Sequence, residues 1–266
     1  MATETNWLAL WSRVVTSTRH REETEKVSTT RKHFRRDSAF RHDPLLDFVL
    51  EHLRPDQTFL DIGAGTGRWT LPAAQHVKSA TALEPSDSML EMLYENIEKA
   101  GIQNITVIQG RWETTGVGQH DIVACAHGIY ETPDLAAFVR KMEQTAAERC
   151  YLVLRLPPWD GIITRLSLEI NGHPYDSPNA VLAYNALYSL GIYPNVLVED
   201  GMHHWRDDTV EQAFDRAKRH LNLNSSGEHD ALIRTTLEEC LTLTDGRYLW
   251  PDGMRSALLW WDTGKD

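Results

Sequence analysis

Along the chain the spacing of apolar positions switches repeatedly between strand-like and helix-like. Phe59, Leu60 and Ile62 make a short strand-compatible run, three glycines follow at alternate positions, and Thr70, Leu71, Ala73 and Ala74 then have helix-compatible composition. A second β-prone run, Ser79 onward, ends in Glu84, and Ile105, Val107 and Gln109 alternate as a third. Ile122 to Ala126 is a near-continuous apolar run, suited to a strand covered on both faces, and Glu148 to Gly161 supplies the fifth. Strand and helix alternate from Phe59 to Pro157, which predicts an α/β fold, a doubly wound parallel sheet with helices on both faces.

The flanks have other periods. Trp7, Leu8, Trp11, Val14 and Val15 recur near helical spacing, as an amphipathic helix that either closes over a ligand or packs on the core. After the fifth strand, 178–196 predicts a helix on which Tyr184 and Tyr188, four apart, share a face, lining a pocket or filling the core. Asn195 to Asp200 reads as a sixth strand, Asp207 to Leu221 and Ser226 to Leu243 as helices, and 246–264 as strand, Pro-Asp-Gly turn, strand. The expected organisation is an N-terminal helical cover at 1–44, a ligand-binding core at 45–158, and a helical substrate cover with closing strands at 159–266.

Gly63, Gly65 and Gly67 carry the first chemical signal. A turn between strand and helix without Cβ atoms lets a ligand lie directly on the main chain, beside the positive end of a helix. A dinucleotide fingerprint needs a third glycine at position 68, which is Arg; a nucleotide-hydrolase phosphate loop needs Gly-Lys-Ser/Thr, whereas Gly67 is followed by Arg68 and Trp69. A purely structural glycine turn is the remaining alternative. Glu84 falls at the predicted tip of the second strand, where a carboxylate can accept two hydrogen bonds from a ribose cis-diol.

The stretch Asp61 to Gly67, Asp-x-Gly-x-Gly-x-Gly, together with Glu84, resembles the class I S-adenosylmethionine (SAM) dependent methyltransferases. The resemblance covers about Leu45 to Pro158. It implies a mostly parallel seven-stranded sheet with an antiparallel last strand, for which Ser256 to Trp261 fits, and extra helical cover. It also implies SAM as cofactor, S-adenosylhomocysteine as product, and a SAM site formed by Asp61, Gly63, Ala64, Gly65, Gly67, Glu84, Pro85, Ser86, Met89 and Ala126. Met89 falls where the family packs an apolar side chain on adenine; ordinary helix core is the alternative. Gly110-Arg111-Trp112-Glu113 is similar to the adenine-binding turn, with Arg111 where many members carry Asp. A guanidinium accepts no hydrogen bond, so Arg111 either stacks on the base or faces solvent, and Trp112 meets the ring through its backbone.

For the acceptor, His127 is the candidate general base, its imidazole suited to proton transfer near neutral pH, with an ordinary structural histidine as the alternative. Tyr130, Arg155 and Trp159 fall at predicted strand ends, and with Tyr184 and Tyr188 they form the expected acceptor pocket. Arg offers two parallel hydrogen bonds to an anion, and the aromatics offer apolar walls. Arg155 paired with an internal acid is the alternative. Base-amine methyltransferases typically carry Asp/Asn-Pro-Pro-aromatic after the fourth strand, where this chain has Ala126-His127-Gly128-Ile129. The favoured acceptor is therefore a small molecule, with RNA, protein, or a non-catalytic SAM-binding regulatory role as alternatives.

Composition narrows this picture. A chain of 266 residues buries about three quarters of its unfolded surface and supports one embellished domain. A formal charge of −11 disfavours tracking a nucleic-acid backbone. The basic run Arg31, Lys32, Arg35, Arg36 and Arg41 is interrupted or flanked by Asp37 and Asp43 and reads as a solvated face. There is no apolar run of transmembrane length and no signal-like N-terminus, so a cytoplasmic location without membrane partners is expected. Cys125, Cys150 and Cys240 lack metal-binding spacing, and adjacent His203-His204 cannot both face one ion, so no metal is expected.

Overall fold

A computed structural model describes residues 5–25, 43–200, 203–223 and 227–264. The basic run lies outside them, apart from Asp43 at its edge. Two helices lead in, α1 (Trp7–Glu25) and α2 (Pro44–Glu51). The alternating section runs β1 (Thr58–Ile62), α3 (Thr70–Ala74), β2 (Ser79–Glu84), α4 (Asp87–Ala100), β3 (Ile105–Gln109), β4 (His120–Ala126), α5 (Leu135–Thr145) and β5 (Ala146–Leu156). After it come α6 (Ile162–Asn171), α7 (Ala180–Ser189), β6 (Asn195–Val198), β7 (His203–Asp207), α8 (Val210–His220), α9 (Asp230–Cys240), β8 (Thr242–Thr244) and β9 (Arg247–Asp262).

The main sheet has the order β3-β2-β1-β4-β5-β9-β6. The pairs among β1 to β5 are parallel, and β9 is antiparallel to both of its neighbours. This is the expected seven-strand path, extended by two strands not anticipated, β7 and β8, which pair with the first half of β9.

Side-chain alternation on the strands builds two cores. Leu60, Ile62, Val123, Cys125, Leu152 and Leu154 face α1, α5 and α7, whereas Phe59, Ile122, Ala124, Tyr151 and Val153 face α2 and α3. The helix α4 closes the latter face over Ala82 through Leu90 and Leu93. Thus Trp11, Val14 and Val15 of α1 pack into the main core, where the Trp11 indole also donates to the Thr132 carbonyl at 2.8 Å.

The helices α6, α8 and α9 build a separate core around Phe214, Ile233, Leu237 and Trp250, with Trp205 packed against it. The buried Asp207 carboxylate ties it together, accepting from Arg216 Nη2 at 2.6 Å and from Trp250 Nε1 at 2.8 Å. The expected reversal at Pro251-Asp252-Gly253 does not occur: these residues lie inside β9, beside a register shift against β7. Reversal falls instead at Asp245-Gly246, where both residues have positive φ between Thr244 and its partner Arg247, the two-residue turn whose twist matches a hairpin.

Candidate active site

Because β1, β2, β3 and β4 are parallel, Ile62, Glu84, Gln109 and Ala126 end along one edge of the sheet. The strand order reverses between β1 and β4, where ligands of doubly wound sheets bind. A cleft opens at that point, lined by Asp61, Gly63, Ala64, Arg68, Trp69, Ala126 and His127.

The glycine loop is pinned to its neighbours. The amides of Gly63 and Ala64 both donate to the Leu83 carbonyl, at 2.8 and 3.1 Å, and Asn96 Nδ2 donates to the Thr66 carbonyl at 2.9 Å. All three glycines have positive φ. Gly63 is also where two loops meet: a Cβ there would lie 3.1 Å from Gly128 Cα, and one on Gly128 would lie 2.8 Å from the Ile62 carbonyl oxygen. Gly65 is different, because a Cβ there would meet no atom of the described residues within 4 Å.

Three carboxylates surround this loop. Glu84 is buried; its Oε2 accepts from the Gly65 amide at 2.8 Å and its Oε1 from the Ser86 amide at 2.9 Å, leaving lone pairs on both oxygens. Asp61 accepts from the Thr70 hydroxyl at 2.6 Å. Burial pushes its pKa up to about 6, against the lowering effect of that hydroxyl and with a further push from the negative Glu84. Asp43 caps α2 through the amides of Leu45 and Leu46, and its other oxygen holds Arg68 Nη2 at 2.7 Å and Trp69 Nε1 at 3.2 Å. Among the described residues, the buried Arg68 Nε has no hydrogen-bond partner.

His127 follows β4 with φ 58, an unusual value outside glycine, and such residues hold roughly 1–3 kcal/mol of strain that the surrounding structure must over-determine. Its amide donates to the Val153 carbonyl at 3.0 Å, and its Nδ1 lies 2.7 Å from the Tyr130 hydroxyl. That hydroxyl accepts from the Arg155 amide at 2.8 Å, and the Arg155 guanidinium lies 4.8 Å from the Tyr130 ring centre. Burial, then the positive charges of Arg155 and Arg68, push the His127 pKa down to about 4, and burial pushes Tyr130 up to about 12. The imidazole is therefore neutral at physiological pH and a weak proton acceptor.

The structure thus gathers Asp61, Gly63, Ala64, Gly65, Gly67, Glu84, Ser86, Ala126 and His127 around the cleft and the loop beside it, and links Tyr130 and Arg155 to His127. Pro85 is exposed and Met89 half-buried at the start of α4. Arg111 is half-exposed, with Glu113 and Glu131 carboxylates at 3.7 and 3.8 Å. The Trp112 indole turns away from the sheet edge into the core, donating to the Phe138 carbonyl at 3.2 Å beneath the Lys141 ammonium. Trp159 is 86% exposed. Tyr184 and Tyr188 stand on the solvent side of α7, Tyr188 edge-on to Tyr193, and neither lines the cleft, because α7 buries Leu182, Ala183, Ala186 and Leu187 instead.

Sequence reasoning assigned no role to Arg68, Trp69, Asp43 or Gly128. Asp43-Pro44 was a readable helix start, but its partners lie 25 and 26 residues on, beyond any local period. Among the described residues no helix is long and apolar enough to cross a membrane, and no group of three metal-ligating side chains is gathered. His204 Nδ1 lies 3.3 Å from the carbonyl oxygen of Trp250, whose side chain belongs to the core of α6, α8 and α9.

Comparison with known proteins places a family model described as "Methyltransferase domain" on residues 59–148. An uncharacterized protein of Haemophilus influenzae is 27% identical over 150 residues, 54% of this chain and 54% of that protein. The uncharacterized methyltransferase YcgJ of Bacillus subtilis is 24% identical over 122 residues, 44% of this chain and 48% of that one. The chain spans about half the length of these curated relatives. The crystal structure of YcgJ superposes with a TM-score of 0.53 at 17% identity, covering 82% of this chain and 98% of that one, a likeness of fold.

Proposed function

We propose that this chain, whose residues 59–148 match a methyltransferase domain, is a class I methyltransferase that transfers the methyl group of SAM to a small-molecule acceptor by direct displacement. The observation that carries the reading is the open face of Gly65 beside the Glu84 carboxylate, 2.8 Å from the Gly65 amide to Oε2. It puts an acceptor for a ribose diol next to main chain that a ligand can touch.

The residues fit the groups such a cofactor brings. Both oxygens of Glu84 keep lone pairs for the two ribose hydroxyls. Asp61 Oδ1, opposite the oxygen held by Thr70, is suited to an ammonium, and the orphaned Arg68 Nε to a carboxylate. When bound, SAM supplies a methyl group on a sulfonium. The chain's own contribution is to hold the acceptor in line with that methyl group, and positioning of this kind supplies up to roughly 7–11 kcal/mol in intramolecular models. A small acceptor rather than a nucleic-acid backbone is supported by the formal charge of −11. The separate core of α6, α8 and α9, which starts just beyond the carboxyl end of β5, is the natural cover for it.

Titration calorimetry of the full chain with SAM, S-adenosylhomocysteine and NAD tests the reading. Binding of the first two without NAD is expected, and NAD binding without SAM binding overturns it. Turnover of labelled SAM with protein-free metabolite fractions, compared with purified RNA, then separates the acceptor classes.

A further inference from the structure

The Tyr130 hydroxyl has one proton to give and already accepts the Arg155 amide. Among the described residues, His127 Nδ1 is the one acceptor at hydrogen-bond distance from it. A neutral imidazole that accepts at Nδ1 carries its proton at Nε2. The ring lines the cleft, so the nitrogen left for a ligand is a donor.

We propose that Tyr130 is a positioning residue that fixes His127 as the Nε2–H tautomer, and that the methyl acceptor docks on this N–H as an oxyanion of the carboxylate class. The second half rests on the methyl-transfer reading above; the first does not. His127 then removes no proton. The hydrogen bond favours the ionised acceptor, which reaches the site with its proton already lost to solvent.

The balance is complete without a base. A lone pair of the acceptor oxygen forms the new C–O bond as the C–S bond breaks, and that bonding pair stays on sulfur. The negative oxygen and the positive sulfonium become a neutral ester and a neutral thioether, and no proton is released. Burial and the Arg155 and Arg68 charges keep the ring neutral against the opposing charge of Asp43, which pairs with Arg68. Left-handed backbone at His127, held by the Val153 carbonyl, fixes the ring at the end of β4.

Long-range proton–nitrogen NMR on the full chain labelled with ¹⁵N-histidine reads the tautomer directly at neutral pH. The expected spectrum has a protonated Nε2 and an unprotonated Nδ1 for His127; the reverse pattern overturns the lock. In Tyr130→Phe a share of the proton should move to Nδ1, and an unchanged pure Nε2–H pattern removes Tyr130 from the account. With S-adenosylhomocysteine present, benzoate should shift the His127 Nε2 signals and neutral benzamide should not. Equal responses, or none, overturn the oxyanion assignment. If calorimetry shows that S-adenosylhomocysteine itself does not bind, the methyl-transfer reading fails while the tautomer result stands.

Discussion

Gly65→Ala and Gly101→Ala form a matched pair that separates the cost to the fold from the cost to a ligand. Gly65 has φ +56 and Gly101 φ +66, and a Cβ on either meets no atom of the described residues within 4 Å. Both substitutions therefore impose the same left-handed backbone penalty, about 1–2 kcal/mol, and neither adds a clash. In a chain of this size that lowers the thermal midpoint by roughly 2–4 °C per kcal/mol. Gly101 ends α4 as its C-cap, whereas Gly65 lies in the loop beside the cleft. If SAM lies on the loop, the new methyl group in Gly65→Ala overpacks that contact by about 1–3 kcal/mol, or about 5- to 150-fold in Kd. Urea unfolding and calorimetric titration with S-adenosylhomocysteine measure the two quantities. Equal loss of stability with equal, parent-like affinity in both variants would refute contact between the cofactor and this loop.

Asp61 holds its proton more tightly folded than unfolded, with a pKa of about 6 against an ordinary 3.8. Its favourable contribution is full below about pH 4 and is lost as pH rises through about 6, some 3 kcal/mol in all. The stability of the parent relative to Asp61→Asn should fall by up to that amount between pH 4 and 7 in urea titrations, and a flat difference would contradict the burial argument. Arg68→Met should weaken binding of SAM but not of adenosine, which lacks the carboxylate assigned to Arg68; parallel losses for both would remove that assignment. Asp207→Ala strands the Trp250 indole N–H and the Arg216 charge, at about 3–5 kcal/mol. Hydrogen exchange should speed up in α8 and α9 while α5 stays protected, and uniform acceleration would show that the core of α6, α8 and α9 is not separate from those of the main sheet.

The central parallel strands β1, β4 and β5 were legible as short apolar runs covered on both faces, and the edge strand β3 by its alternation. The glycine loop and Glu84 were legible for a different reason, since backbone freedom and a carboxylate at a strand tip are local properties. What escaped depends on distance. Arg68 meets Asp43 across two loops, and the Trp112 indole chooses the Phe138 carbonyl over the sheet edge. Tyr184 and Tyr188 do share a helix face, as four-residue spacing requires, but spacing does not say which face is wet. At the hairpin two turn signals competed: Asp245-Gly246 reverses the chain, while Pro251 is accommodated within β9 beside its register shift.

The place of β9 in the sheet also orders events in time. The strands that carry the glycine loop, Glu84 and His127 pair with one another within the first part of the chain, whereas β5 waits for β9 from roughly a hundred residues later. During synthesis at about 5–20 residues per second, the nascent chain therefore holds an eleven-residue strand that contains Leu152, Val153 and Leu154 and has one edge unpaired for several seconds. Such an edge is a template for another chain. Its exposure ends only when Leu258 and Leu259 arrive opposite Val153 and Leu152, so a ribosome pause between β5 and β9, more than any defect in the cofactor loop, is the moment at which this protein is most open to aggregation.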